Sequence, residues 1–569
     1  MMERTGVKAR RRSLSAFCLC LAAVLLLVPY GALAGKPPAS AIATAHPLAT
    51  EAGFEVLAAG GNAFDAAVAV TAALAVVEPS GSGLGGGGFW LLHRAMDDFQ
   101  VMLDGRETAP AAAHRDLYLD EHGGVIPGLS IDGPLAAGIP GTPAAVVHLA
   151  NRYGRLPLSV SLAPAIRLAS QGFPVNEGYR RMARFRLSVL RNSPAAATIF
   201  LDEGKVPEVG FRIRQPQLAE VLRALAEKGH AGFYEGKIAQ RLVEGVRRAG
   251  GIWTLADLKN YRAVERVPIR GRFGDVTIVS AAPPSSGGIA LLTMLNILEQ
   301  FQWGELDSVS RIHLMVEAMR RAYRDRAQYL GDPDFTQIPV RRLTSLDYAA
   351  GLAASIRLDR ATPSASLPGV EKGGGHGMDT THFSILDREG NRVAATLSIN
   401  YPFGSGFVPP GTGVLLNDEM DDFSIKPGVP NVYGLIGAEA NAIAPGKRPL
   451  SSMTPTFLES RRGIAILGTP GGSRIISMVM LAVQGYVAGE PPEVWVSRPR
   501  FHHQYLPDQI QFEPGALTNR ERSRLRDMGH TLEPLERPYG NMQAILWDIP
   551  GKRVLAASDP RGEGSAGIR

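Results

Sequence analysis

The chain has 569 residues, 45% of them apolar and 20% charged, with a formal charge of +6. That is the balance of a globular protein with room for several cores, neither disordered nor fibrous. Five basic residues (Arg4, Lys8, Arg10, Arg11, Arg12) and one acid (Glu3) lie in the first 34 residues; without them the charge falls from +6 to +2, which gives no argument for a nucleic-acid partner.

Those basic residues precede an apolar run, Leu14 to Val28, and the small-residue sequence Ala32-Leu33-Ala34. The order is that of a secretory signal peptide over residues 1–34, and predicts a protein in the periplasm or the medium. Arg11-Arg12-Ser13-Leu14 faintly resembles a twin-arginine signal. An apolar run of about 15 residues is short for a bilayer span, so no stable membrane anchor is expected. Both cysteines, Cys18 and Cys20, fall inside this run. The exported part is therefore expected to have no disulfide, no thiolate nucleophile and no cysteine-bound zinc.

Residues 40–78 read as two helices, with Pro47 suited to the first turn of one and Asn62-Ala63-Phe64-Asp65 opening an Ala/Val-rich second that reads as fully buried. Gly81 to Gly88 then precede a strand, Phe89 to Leu92. The stretch contains G-x-G-x-x-G, but a dinucleotide fingerprint needs strand, glycines, then helix, and no P-loop Lys-Ser/Thr follows; close backbone packing accounts for it better. Asp104-Gly105-Arg106 follows a strand and leaves Arg106 at its end, where a guanidinium can grip a carboxylate with two hydrogen bonds. From about 140 to 350 the pattern is helical, with amphipathic stretches near 142–153, 217–229, 236–249 and 308–330. Residues 361–379 read as a linker, ending in the glycine-rich Lys372 to Gly377, where chain breaks are tolerated.

Asp379-Thr380-Thr381-His382-Phe383 follows. Thr381 to Leu386 and Val393 to Asn400 read as strands joined through Asp387-Arg388-Glu389-Gly390-Asn391. With Gly390 in the left-handed position of a three-residue loop, Asp387 pairs with Asn391. Counting back puts Thr380 opposite Ser398, and alternation puts Thr396, Ser398 and Asn400 on one face. A threonine hydroxyl becomes a good nucleophile when a base takes its proton, and an N-terminal threonine carries that base in its own α-amine. An interior Thr380 could do this only after cleavage of the Asp379-Thr380 bond.

Further on, Asn417 to Phe423 packs four acids into five residues. It suits a substrate ammonium better than calcium, because the spacing is not that of an EF-hand loop. Lys447 to Met453 offers the hydroxyls of Ser451 and Ser452. Gly468 to Arg474 is a glycine turn entering a helix, able to aim backbone N–H groups at an oxyanion. His502-His503 reads as structural, since neighbouring side chains point apart and no carboxylate or cysteine stands at ligand spacing. His382 reads as structural too. The chain ends in the strand Gln543 to Asp548 and a turn at Pro550-Gly551.

Taken in order, Gly60 to Ala67, Leu84 to Gly88, Arg106 to Pro110, Pro284 to Gly288, Thr380-Thr381-His382, Asn417 to Phe423, Pro427 to Asn431, Lys447 to Met453, Pro470 to Arg474, Arg500 to Gln504 and Ser558 to Arg561 resemble the gamma-glutamyltransferases, also called glutathione hydrolases. The resemblance implies an α+β fold, the four-layer αββα sandwich of the N-terminal nucleophile hydrolases, built as one interlaced unit. It implies a precursor cut at Asp379-Thr380 into a large fragment, 35–379, and a small one, 380–569, that stay together as a heterodimer. It implies acyl transfer from glutathione or another small γ-glutamyl compound to water, an amino acid or a peptide, with no cofactor and no metal. Thr380 would be nucleophile and base, supported by Ser398. Gly471 and Gly472 would supply the oxyanion hole. Arg106, Ser451 and Ser452 would hold the α-carboxylate, and Asn400, Glu419 and Asp422 the α-amino group. Pro427 to Ala438, with Tyr433, is similar to a loop that covers the site in some members.

Three positions vary within the family pattern. Ser398 stands where many members have threonine, Glu419 where some have glutamine, and Asp379 at a variable position. Two other functions fit the same residues: a glutaryl-type amide (β-lactam side chain) acylase on the same scaffold, and an exported binding protein that never matures.

Overall fold

The computed structural model describes residues 35–367 and 380–569. The expected signal peptide, the Lys372 to Gly377 stretch and Asp379 lie outside them.

Two antiparallel sheets face each other. Their strands, in chain order, are β1 (Ala41–Thr44), β2 (Gly87–Arg94), β3 (Phe99–Asp104), β4 (Val264–Arg266), β5 (Ile269–Phe273), β6 (Val276–Ser280), β7 (Thr381–Leu386), β8 (Arg392–Ser398), β9 (Thr456–Ser460), β10 (Gly463–Gly468), β11 (Gln543–Asp548), β12 (Arg553–Ser558) and β13 (Ser565–Ile568). The first sheet runs β13-β1-β7-β8-β2-β3-β4 and the second β12-β11-β10-β9-β6-β5. Each sheet draws strands from both sides of Thr380, so cleavage before Thr380 would leave both sheets built from two interlaced fragments.

Helices α1 (Pro47–Ala58) and α2 (Ala63–Val77) cover the outer face of the first sheet; α3 (Gly287–Leu298), α4 (Ser308–Tyr329) and α5 (Ile475–Val487) cover the second. This is the αββα sandwich. Strands buried on both faces read as continuous apolar runs. In β2, Phe89 and Leu91 join the core between the sheets, while Trp90 and Leu92 join the core under α2.

The sequence places most elements correctly. Asn62 caps α2 with a capping box closed by Asp65, and all fifteen residues of α2 are buried. The amphipathic stretches are helices Thr142–Tyr153, Pro216–Lys228, Gly236–Arg248 and α4. Two expectations need correction. Residues 41–44 are a strand rather than the start of a helix, and β4 to β6 interrupt the helical region between 264 and 280. These strands are short, and the exposed positions of β5 give it no long period to read. The expected linker is likewise ordered where described: Ser364 is buried, and its hydroxyl donates to the Tyr505 carbonyl at 2.7 Å.

Candidate active site

The hairpin that places Thr380 follows the counted register. Gly390 has φ +95, Asp387 N–H donates to Asn391 O at 3.0 Å, and Leu397 pairs with Thr381. One step further puts Thr380 across from Ser398. Phe383 and Ile385 point into the helix-side core, whereas the His382 ring packs on Gly468 of the second sheet. By alternation, Thr380, Thr396 and Ser398 share the face between the sheets. Asn400 departs from that alternation: its φ is +73, and its backbone N–H turns back to Ser398 Oγ at 2.8 Å. Asparagine tolerates this left-handed conformation better than most side chains.

Thr380 is 6% exposed and stands where two cavities meet. The smaller encloses about 280 Å³. Arg106, Glu419 and Asp422 supply its charges, Ser398, Asn400, Ser451 and Ser452 its hydroxyl and amide groups, and Tyr433 and Gly472 a further wall. The larger, about 1020 Å³, has Gly471 rather than Gly472 in its wall beside Thr380. The structure thus gathers around Thr380 residues that lie far apart in the chain.

Arg106 is set by the end of β3, where its N–H donates to Asp104 Oδ1 at 2.9 Å and its Nε to Pro449 O at 3.1 Å. The acids are set by a 3₁₀ turn, Glu419–Asp422, whose first N–H donates to Asn417 Oδ1 at 2.9 Å. Arg106 donates to Glu419 and, at 2.5 Å, to Asp422, with Glu107 3.9 Å away. The cation and the acids expected to hold opposite ends of a zwitterion therefore pair with one another.

One guanidinium cannot neutralise three acids. Burial pulls the Arg106 pKa down, but Glu419, Asp422 and Glu107 outweigh it and push it up, so Arg106 stays charged. The surplus falls on the acids. Burial drives Glu107 well above the usual carboxylate range, and neither of its oxygens has a hydrogen-bond partner among the described residues. Burial lifts Glu419 to about 7 although Arg106 pulls the other way, and its Oε2 is likewise unpartnered. The buried Ser452 hydroxyl also lacks a partner among the described residues, leaving its hydrogen-bonding capacity open to a ligand.

The glycine turn leads into α5. Gly471 has φ +140 and Gly472 φ +55, and a Cβ on Gly472 would lie 2.5 Å from the Tyr433 ring. Both positions need glycine, one of them to admit Tyr433 as well. Tyr433 is 4% exposed, and its hydroxyl donates to the Asn400 carbonyl. Tyr433 thus closes the small cavity from its own loop, bridging the glycine turn and Asn400.

The histidines are held by protein groups. His382, pushed down to about 3 by burial, has Thr396 Oγ1 at 2.8 Å and Ser384 Oγ at 3.2 Å. His502 lies against Ser477 and Gln504, and His503 against Asp508. His313, Glu317 and His530 bring ligand atoms within 4.8 Å of one another, but Glu317 already pairs with Arg320 and Arg321. That is a poor setting for a third cation.

Glu78 was missed by the motif reading. It caps the C-terminus of α2, lines the larger cavity with Thr380, and accepts a hydrogen bond from Thr381 Oγ1 at 2.5 Å. An acid directly after the uncharged run Ala66 to Val77 was the available signal.

The gamma-glutamyltranspeptidase family model matches residues 49–568. The chain belongs to that family. It is 42% identical over 534 residues to the glutathione hydrolase proenzyme of Pseudomonas sp. (strain A14), covering 91% of this chain and 92% of that protein. Among solved structures it is similar to a cephalosporin acylase from Bacillus halodurans, with TM-score 0.81 and 28% identity over 94% of this chain and 96% of that one. It is also similar to Helicobacter pylori gamma-glutamyltranspeptidase, with TM-score 0.55 and 38% identity over 57% of this chain and 93% of that one. The gamma-glutamyltranspeptidase sandwich here is the N-terminal nucleophile hydrolase fold. No described helix is long and apolar enough to cross a membrane.

Proposed function

We propose that the protein is a glutathione hydrolase and gamma-glutamyltransferase, made as an exported precursor and cut between Asp379 and Thr380 into fragments 35–379 and 380–569. The observation that carries this is the small cavity, in which Thr380 faces Arg106, Glu419, Asp422, Ser451 and Ser452. Its charges suit the α-carboxylate and α-ammonium of a γ-glutamyl group.

After cleavage the Thr380 α-amine takes the proton from its own hydroxyl, and Oγ attacks the γ-carbonyl carbon. Backbone N–H groups of Gly471 and Gly472 receive the oxyanion, a type of contact whose loss slows catalysis by about 10²–10³. Collapse passes the proton to the departing amine. The γ-glutamyl-Thr380 ester then goes to water or to an amino acid or peptide amine. Substrate binding exchanges partners: Arg106 moves from Glu419 and Asp422 to the substrate carboxylate, and the acids take the ammonium together with Asn400.

A denaturing gel tests the reading. Wild type gives two fragments and hydrolyses γ-glutamyl anilide; Thr380→Ala gives one uncut, inactive chain. An uncut, inactive wild type would support a binding protein instead. The likeness to a cephalosporin acylase makes a glutaryl amide the substrate to compare. Faster hydrolysis of glutaryl than of γ-glutamyl anilide would replace the proposed substrate class.

A further inference from the structure

The mechanism uses the Thr380 amine as base, and a base in such a pair is ordinarily oriented by a third group. On the side of Thr380 away from the small cavity, one carboxylate is placed for this. Glu78 ends α2 in the wall of the larger cavity, and its Oε2 accepts the Thr381 hydroxyl at 2.5 Å. Its carboxyl group and the Thr380 carbonyl oxygen border the same point. From the position a Cβ on Gly81 would take, the Thr380 carbonyl oxygen lies 3.3 Å away, the Glu78 carboxyl carbon 3.4 Å and Oε1 3.6 Å.

Glu78 forms no salt bridge among the described residues. The other charged groups on this cavity have their own partners or face outward, and the Tyr539 hydroxyl, kept neutral by burial and without a hydrogen-bond partner among the described residues, offers no cation. His46, from the turn before α1, is pushed down to about 4 by burial, so it is neutral at pH 7, and its Nδ1 accepts Leu48 N–H. Arg561 pairs with Glu513 and Asp559, and Glu563 accepts Gly178 N–H. Tyr179 donates to Phe200 O, and Arg181 is exposed on its helix. A carboxylate packed into a wall without a cation is unfavourable unless a cation arrives. Cleavage supplies one, because the nitrogen of Thr380 changes from a neutral amide into an amine that can carry charge.

Resting on the reading of Thr380 as an N-terminal nucleophile, we propose that Glu78 is a positioning residue whose carboxylate receives the α-amine of Thr380, completing a hydroxyl–amine–carboxylate chain. During attack the Oγ proton passes to the amine nitrogen and Oγ bonds to the carbonyl carbon, whose π pair moves to the oxygen. The ammonium stays hydrogen-bonded to Glu78, then gives its proton to the leaving amine as the C–N bond breaks. Glu78 gains and loses no proton in the cycle, but it must be ionised to act. Burial lifts it to about 7, against the Thr381 hydrogen bond that holds it down.

Wild type, Glu78→Gln and Thr381→Val are compared as full-length exported chains, with a gel for cleavage and kcat and KM for γ-glutamyl anilide from about pH 5 to about 9. In wild type, kcat falls on the acid side as the Glu78–amine pair takes up a proton. In cleaved Glu78→Gln, kcat is at least about tenfold lower, KM stays within about twofold, and the acid limb moves to lower pH, because the Thr380 ammonium has lost the carboxylate that favours its charge. In Thr381→Val the limb moves to higher pH, because the hydrogen bond that holds Glu78 down is gone. An unchanged limb in cleaved Glu78→Gln overturns the proposal even if kcat falls, since a structural role would lower activity at every pH. If Glu78→Gln remains uncut, an unmoved limb in Thr381→Val overturns it. An uncut wild type, or an active Thr380→Ala, removes the reading of Thr380 itself, which is a different outcome from a cleaved, active enzyme indifferent to Glu78.

Discussion

On one side of Thr380, about 280 Å³ of cavity sets a guanidinium in contact with two carboxylates, with a third just behind it; on the other, about 1020 Å³ is bordered by a carboxylate, Glu78, that forms no salt bridge among the described residues. On the proposed reading, the first arrangement is a substrate site with its charges folded onto one another. It stays tolerable without ligand because Arg106 pairs with Glu419 and Asp422, and burial raises the proton affinity of Glu107 and Glu419. On the same reading, the second awaits the amine that cleavage before Thr380 supplies. A binding site can compensate its charges with its own residues, whereas a device awaiting a new amine must keep its carboxylate free for it.

Arg106→Ala breaks this comparison most severely. It removes the proposed partner of the substrate carboxylate and takes from Glu107, Glu419 and Asp422 the guanidinium they surround, leaving Arg326 as the cation that still acts on Asp422. Losing one partner of a buried charged pair costs about 2–5 kcal/mol, which is a fall of about 30-fold to several thousand-fold in kcat/KM for γ-glutamyl anilide. The measurement is made on cleaved protein, with thermal unfolding to separate misfolding from lost binding. A change within about threefold would mean that Arg106 serves only the internal pairs.

Much of this was legible in the sequence. Gly390 and its flanking polar residues fixed the hairpin register, and that register alone carried Thr380 to Ser398. Asn62 and Asp65 announced α2 through a local capping box. What could not be read was long-range. Arg106 and Glu419 carry the right charges, but no spacing says whether they grip a ligand or each other, because that depends on two turns from different parts of the chain meeting at one point. Glu78 belongs to no pattern until the end of α2 is brought against the start of β7. The short strands β4 to β6 are held by neighbours rather than by a period of their own.

Glu419→Gln sharpens the comparison through pH. With its carboxyl lifted to about 7, Glu419 is protonated below that pH and ionised above it. A substrate ammonium prefers the ionised form, so wild-type KM for γ-glutamyl substrates is expected to fall as pH rises through neutrality. Glutamine cannot ionise, and KM in the variant should stay flat there, about three- to tenfold above the wild-type high-pH value. Glutaryl substrates have no ammonium, so their KM should not follow Glu419. If γ-glutamyl KM follows the same curve in both proteins, the ammonium lies elsewhere.

Tyr433→Phe has the smallest expected effect and asks whether the small cavity owes its closure to one hydroxyl or to packing. The variant removes the hydrogen bond to the Asn400 carbonyl and keeps the ring against Gly472. A neutral hydrogen bond contributes about 0.5–1.5 kcal/mol, so KM should rise about two- to tenfold with kcat nearly unchanged. Asn400 sits at φ +73 directly after the strand carrying Ser398, so part of the loss should appear as looser placement of Asn400 rather than as an open loop. Gly472→Ala is the contrasting variant, since its Cβ would strike the Tyr433 ring and its φ is unfavourable for alanine. If Tyr433→Phe impairs KM as strongly as Gly472→Ala, the hydroxyl governs closure; a near-silent Tyr433→Phe beside a crippled Gly472→Ala assigns closure to the packed ring.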